Sequence, residues 1–271
     1  MKLRLDKLLL ERGLAPSRER AQALILAGKV LVDGQKIEKA GTAVEPAANI
    51  RLLGEDLKYV SRGGLKLDKA LEHWNIDVQG KVCLDVGAST GGFTDCLLQR
   101  GAREVIAVDV GYGILDYRLR SDPRVSVMER TNARTLTPAM LPAARAGADA
   151  MPDLATVDVS FISLAKVLGA VLGCVGDGYD VLALVKPQFE LGRGRVGKGG
   201  VVRAAEDRRE ALVGAGEAAL ELGAAVVGYR SSGLSGPKGN LETFVWLTDP
   251  AVRGGTRDPA ELERMAREVE P

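Results

Sequence analysis

The sequence predicts an α/β protein: a doubly wound, largely parallel sheet preceded by a small α+β domain. Three observations predict it. Apolar runs alternate with helical segments from Lys81 to about residue 248, the pattern of strands joined by crossover helices. A glycine-rich loop follows the first of those runs, where a strand turns into a helix. Residues 1 to about 58 break the pattern with two short helical repeats and a hairpin signal. At roughly 150 residues per domain, the 271 residues divide into a front domain at 1–58, a linker and connecting helix at 59–80, a main domain at 81–248 and a tail at 249–271.

In the front block, Leu5, Leu8 and Leu9, then Ala21, Leu24 and Ile25, recur at helical spacing. Ser17, after Pro16, is placed to cap the second helix. Gly28 ends that helix and Lys29–Val32 begins a strand. Asp33-Gly34 then forms the turn of a hairpin into Lys36-Ile37. Residues 49–53 supply another strand. In the bridge, Leu65, Leu67, Ala70, Leu71 and Trp74 interleave with lysines, an amphipathic helix. The main domain reads as strands Val82–Val86, Val105–Val108, Val125–Met128, Leu154–Val157, Val181–Val185, Ala225–Tyr229 and Thr243–Leu247. Helices are expected at Phe93–Gln99, Ile162–Leu172 and Arg203–Leu222. The last strand is expected to run antiparallel at an edge, as mixed sheets allow. The glycine- and charge-rich tail carries a terminal helical stretch and no assigned function.

Composition narrows the function classes. Lys and Arg total 37 against 36 Asp and Glu, so charge placement, not charge excess, must reveal any nucleic-acid partner. Three cysteines (Cys83, Cys96, Cys174) and one histidine (His73) fall short of a zinc ligand set, so no metal is expected. A sparse, odd cysteine set fits a reducing cytoplasm. Charges interrupt the first residues where a signal peptide would be apolar. No run approaches the roughly 18 apolar residues of a membrane span. A cytoplasmic protein without a membrane partner is expected.

The loop from Asp85 to Thr94 offers glycine turns and a helix N-terminus to a ligand. Ser89 stands where a dinucleotide fingerprint has its middle glycine. Asp85, just before Gly87, would repel a pyrophosphate and favour the ammonium of S-adenosylmethionine. Gly87, Ala88, Ser89, Gly91 and Phe93 are the other candidate cofactor contacts. Asp109 ends the second strand about 20 residues on, where an acid accepts from ribose hydroxyls. Asn132, just past the third strand, either reads an adenine edge or caps the following turn.

Further candidates lie at strand ends, where open α/β sheets keep their reacting groups. Asp158 ends the fourth strand and Lys186 the fifth. An ammonium after the apolar run Val181–Val185 needs a partner, and Asp158 is the natural one. Lys66 lies in the preceding helix and Glu242 enters the last strand. No Asn/Asp-Pro-Pro-Tyr/Phe motif stands at strand four, and neither Cys83 nor Cys174 ends a strand facing the site, which disfavours base methylation.

These motifs resemble the hemolysin A/TlyA-like rRNA methyltransferases, whose catalytic half is similar to the FtsJ-type 2′-O-methyltransferases. The resemblance spans about residues 2–248. It is carried by Arg4-Leu5-Asp6-Lys7-Leu8-Leu9, Ser17-Arg18, Gly28–Gly34, Ser61–Leu67, Asp85–Thr94, Asp158–Leu164, Lys186-Pro187-Gln188-Phe189-Glu190 and Gly236-Pro237-Lys238-Gly239-Asn240. It implies a Rossmann-like methyltransferase sheet, S-adenosylmethionine as cofactor and ribosomal RNA as partner, with transfer to a ribose 2′-hydroxyl, of cytidine by preference. It implies a catalytic tetrad of Lys66, Asp158, Lys186 and Glu242, with Lys69, one turn on, as the alternative to Lys66. In that scheme Lys186 takes the ribose proton, Asp158 orients it, and Lys66 and Glu242 hold the ribose. The front block resembles the RNA-binding domain of ribosomal small-subunit protein four. Arg4, Lys7, Arg18, Arg20, Lys29 and Lys36 would then contact phosphates. A second basic, glycine-rich stretch (Arg193, Arg195, Lys198, Arg203, Arg208, Arg209) is expected to be mobile and to order on RNA. The rival classes are a non-catalytic RNA-binding or assembly protein, a pore-forming haemolysin and a nicotinamide dehydrogenase. Oligomeric state is left open.

Overall fold

A computed structural model describes residues 2–15, 17–53, 58–142, 151–197, 199–236 and 238–270. The chain forms two compact units, residues 1–57 and 58–271.

The smaller unit runs β1 (Leu3–Arg4), α1 (Leu5–Glu11), α2 (Arg18–Leu26), β2 (Val30–Val32), β3 (Gln35–Ile37), β4 (Ala43–Val44) and β5 (Ile50–Leu52). Strand β2 is the centre of a three-stranded antiparallel sheet, and β1 pairs with β4. Asp33 and Gly34 both take positive φ, 50° and 82°, as a two-residue hairpin turn of this twist demands. Ser17 Oγ accepts the Arg20 N–H and caps α2. The apolar stripes of both helices meet β2 in one core of Leu5, Leu8, Leu9, Ala21, Leu24, Ile25 and Val30.

The larger unit runs α3 (Arg62–His73), β6 (Val82–Val86), α4 (Gly92–Gln99), β7 (Glu104–Val108), α5 (Tyr117–Arg120), β8 (Val125–Met128), β9 (Leu154–Val157), α6 (Leu168–Leu172), β10 (Asp180–Val185), α7 (Pro187–Glu190), α8 (Ala205–Glu221), β11 (Ala225–Ser231), β12 (Thr243–Thr248) and α9 (Pro259–Val269). Seven strands form one sheet in the order β11-β12-β10-β9-β6-β7-β8. Strands β10, β9, β6, β7 and β8 are parallel, with the order reversing about β6. Such a reversal leaves a crevice at the strands' carboxyl ends. Alternation sends Val82, Leu84 and Val86 to one face with Ala211, Leu212 and Ala215 of α8. It sends Cys83 to the other, with Leu67 and Leu71 of α3 and Cys96 and Leu97 of α4.

Two expectations are corrected. Strand β12 is antiparallel but not an edge: it pairs with β10 on one side and β11 on the other. Every residue of β12 is buried, whereas β11 ends exposed, so β12 belongs inside the sheet. The helix expected from Ile162 is a single 3-10 turn at Leu164–Lys166 followed by the short α6. Glu190 explains the break: its carboxylate accepts Ser163 Oγ at 2.7 Å and the Leu164 N–H at 3.0 Å, fixing the chain before the helix can start. The tail folds as α9, which seats Leu262 and Ala266 in the core beside α8. Among the described residues no helix is long and apolar enough to cross a membrane.

Candidate active site

A cleft of about 800 Å³ opens over the carboxyl ends of the strands. The loop after β6 forms its floor. Gly87 and Ala88 donate their N–H groups to Val108 O at 2.8 and 3.1 Å, pinning the loop to β7. Gly87 has φ +86°, and a Cβ there would lie 2.6 Å from Asp158 O. Only glycine satisfies both the angle and the approach of the neighbouring strand end. Ser89 takes φ +52°, held by its N–H on Asp109 Oδ2 at 2.8 Å. Asp109 Oδ1 accepts the Gly111 N–H. Asp109, Ala88 and Ser89 line a small second hollow beside the main cleft.

Asp158 follows β9 and Lys186 follows β10, so adjacent parallel strands deliver them side by side. Lys186 Nζ stands 2.6 Å from Asp158 Oδ1 and donates to Ser160 Oγ at 2.9 Å. Lys186 is only 8% exposed, and a buried ammonium is tolerable because both partners are present. Lys66 projects from α3 and ion-pairs with Glu242, at the entry to β12 and 2% exposed. The pair spans 176 positions of sequence. All four side chains line the same cleft. Lys69 does not take part; its exposed side chain runs past Gly233.

The remaining cofactor candidates separate into groups. Asp85 does not line the cleft. It is fully buried, on the Cys83 face of β6, and accepts Thr94 Oγ1 at 2.6 Å and Thr156 Oγ1 at 3.0 Å. Burial pushes its carboxyl up to about 6 against those two hydrogen bonds. This corrects the expectation of an acid facing a ligand's ammonium: alternation along β6 turns it away, and it braces α4 against β9 instead. Gly91, at φ +95°, faces Leu115 and Leu119, so its missing side chain makes room for α5. Phe93 lines the cleft, but its ring packs on Phe244 with centroids 5.9 Å apart. Asn132 is exposed and caps the next turn, its Oδ1 accepting the Arg134 N–H at 3.0 Å, which is the second of its two expected roles.

Sequence reasoning missed three contributors. Ser160 is the second partner of Lys186. Asn240 is 3% exposed; its Oδ1 accepts the Val202 N–H at 2.9 Å and its Nδ2 donates to Gly200 O at 2.7 Å. It thereby fastens the glycine-rich stretch to the turn that carries Glu242. Phe161 is 90% exposed at the cleft with φ +66°, its ring 5.2 Å from that of Phe189. A phenylalanine in the left-handed region with its ring in water is costly twice over. All three lie in motifs quoted above, but nothing in their spacing marks a partner or an exposure.

Several side chains of the basic stretch have acidic or carbonyl partners. Arg195 pairs with Asp207 and Glu210, Arg208 with Glu270, and Arg209 donates to Glu270 O. Asn240 holds the backbone at Val202 and Gly200. Lys198 lies outside the described residues, as do Pro16, Pro237 and the side chain of Arg193. In the smaller unit, Arg4 and Arg18 both reach the buried Asp6, and Lys36 lies 3.2 Å from Glu38. Lys7 is exposed, and Arg20 and Lys29 are half-buried.

Comparison with known proteins places this geometry. Residues 3–50 match the S4 domain. The chain is 49% identical over 253 residues to the 16S/23S rRNA (cytidine-2'-O)-methyltransferase TlyA of Mycobacterium tuberculosis, covering 92% of each chain. It is 40% identical to Hemolysin A of Brachyspira hyodysenteriae, covering 89% of this chain and 97% of that one. A solved structure from Streptococcus thermophilus, described as a hemolysin, superposes with TM-score 0.72 at 39% identity, covering 98% of this chain and 95% of that one. Residues 59–249, the unit that carries the cleft, match the FtsJ-like methyltransferase family, and the chain belongs to that family.

Proposed function

We propose that the chain transfers a methyl group from S-adenosylmethionine to a ribose 2′-hydroxyl of ribosomal RNA, with cytidine as the target nucleoside and the cytoplasm as the place of action. The observation that carries this reading is the Lys186 ammonium held between Asp158 and Ser160, with the Lys66–Glu242 pair lining the same cleft.

The cleft suits the cofactor. Gly87, Ala88, Ser89 and Thr90 line it with a loop at the start of a helix, where backbone N–H groups suit a ligand carboxylate. Gln188 Oε1 is buried in its wall without a hydrogen bond among the described residues, so the wall has an acceptor to offer. Gly87, Ala88 and Ser89 would hold the methionine end, and Asp109 the ribose hydroxyls. When bound, S-adenosylmethionine supplies an electrophilic methyl on a sulfonium.

The chain's own residues supply alignment and a proton acceptor. A ribose hydroxyl attacks well only as its proton leaves. Lys186, as the free amine, accepts that proton at Nζ. Asp158 and Ser160 hold the ammonium so formed. Lys66 and Glu242 hold the ribose in line. Positioning of this kind supplies several kcal/mol of the barrier. Phe161 offers the target base an exposed face on which to stack once it leaves its helix.

Lys186→Ala should abolish methyl incorporation into ribosomal RNA while calorimetric binding of S-adenosylmethionine stays within about threefold. Lys186→Arg should be equally inactive, since a guanidinium does not give up its proton. Near-normal turnover in either variant removes Lys186 from this role.

A further inference from the structure

The loop from Asp158 to Leu164 carries much of the cleft's reacting wall, yet no strand or helix supports it before its last residue. It brings Asp158 and Ser160 to Lys186. It also holds Phe161 at φ +66° with its ring in water. A strained residue keeps such a conformation only where its surroundings fix it.

The fixing comes from the segment Lys186–Glu190, which follows the adjacent strand. Pro187 opens α7, and the turn is closed by the Phe189 N–H on Lys186 O at 2.8 Å and the Leu191 N–H on Pro187 O at 3.1 Å. Lys186 grips the first half of the loop, through Asp158 and Ser160. Glu190 grips its far end: Oε2 accepts Ser163 Oγ at 2.7 Å and Oε1 accepts the Leu164 N–H at 3.0 Å. Phe161 lies between the two grips, its ring beside that of Phe189.

The reaction treats the grips differently. As the free amine that accepts the ribose proton, Lys186 keeps hydrogen bonds but loses its ion pair with Asp158. The first grip is therefore weakest just when the wall must stay in place. The second does not depend on that proton. Desolvation raises the Glu190 carboxyl above its ordinary value against its two hydrogen bonds, and among the described residues no lysine or arginine ion-pairs with it. Its contribution is geometric, and a wall fixed in advance need not reorganise as charge develops.

We propose that Glu190 is a positioning residue for methyl transfer: by tying Ser163 and Leu164 to the turn that bears Lys186, it keeps Asp158, Ser160 and Phe161 in place while Lys186 is uncharged. The inference rests on the methyl-transfer reading above and adds the residue that holds the reacting wall together.

The test is tritium transfer from labelled S-adenosylmethionine to unmethylated ribosomal RNA by full-length wild type, Glu190→Ala, Glu190→Gln and Ser163→Ala. Glutamine can keep both ties, its Oε1 accepting the Leu164 N–H and its Nε2 donating to Ser163 Oγ. Glu190→Ala should lower kcat about thirtyfold and leave the KM for S-adenosylmethionine within about threefold, since a misplaced wall costs turnover and not cofactor binding. Glu190→Gln should bring kcat back to within about threefold of the wild type, and Ser163→Ala, which loses one tie, should fall between. Urea denaturation establishes that each variant is folded. If Glu190→Ala is not, Ser163→Ala decides, and wild-type turnover there overturns the proposal. So does wild-type turnover by a folded Glu190→Ala, or a Glu190→Gln as slow as the alanine variant. Absence of ribose methylation by the wild type overturns the reading beneath it.

Discussion

At the scale of single residues, Gly87 and Asp85 show how two neighbours on one strand end serve the cleft differently. Gly87→Ala forces a Cβ to 2.6 Å from Asp158 O at φ +86°. We expect at least about 2 kcal/mol of lost stability, from strain plus the backbone clash, and loss of cofactor binding in calorimetry. Gly113→Ala is the control: its φ is +70° with no atom within 4 Å, so only the strain of about 1 kcal/mol should appear. Asp85 makes a pH prediction. Its folded pKa of about 6 lies above the ordinary 3.8, so the folded state binds the extra proton. That stability is complete below about pH 4 and is lost as the pH rises through 6. Asp85→Asn should therefore flatten the stability profile over that range and raise stability at pH 8 by up to about 3 kcal/mol, measured by urea denaturation. A profile as steep as the wild type's would refute this. Asp158 and Lys186 stood out in the sequence because each follows an apolar run, whereas Lys66 and Glu242 were implied as their partners by the family resemblance. The sequence hid which face Asp85 takes, since a loop-flanking acid reads the same pointing either way until the strand's partners are known.

At the scale of elements, the parallel strands from β6 to β10 were readable within a residue or two because their apolar runs need no partner to be recognised. What could not be read was order: nothing in Thr243–Leu247 tells that β12 enters between β10 and β11. The same holds for α6, whose late start depends on Glu190, 26 positions from the Leu164 N–H it accepts. Asn240 belongs to this scale, since it joins two segments that have no common strand or helix. Asn240→Asp keeps an acceptor for the Val202 N–H but turns an oxygen toward Gly200 O. We expect trypsin to cut at Arg195 or Lys198 far faster than in the wild type, and turnover to fall about tenfold through misplacement of Glu242, with cofactor affinity little changed. Unaltered cleavage would show that the clasp does not hold that stretch.

At the scale of the whole molecule, every residue lining the cleft, from Ser61 to Glu242, lies in the unit of residues 58–271. A fragment of that unit should therefore bind S-adenosylmethionine within about threefold of the full chain, while its affinity for ribosomal RNA drops by an order of magnitude or more as the small unit's phosphate contacts vanish. Equal RNA affinity would assign recognition to the catalytic unit alone. The pairing of Lys66 with Glu242 has one more consequence. During synthesis the lysine emerges long before its acid, and most of the sheet must assemble in between. A chain arrested short of residue 242 possesses the cofactor loop, Asp158 and Lys186, yet leaves a cation facing a hollow with nothing to answer it. Such a chain also lacks β12 between β10 and β11, so truncation before residue 242 should abolish both cooperative folding and methyl transfer.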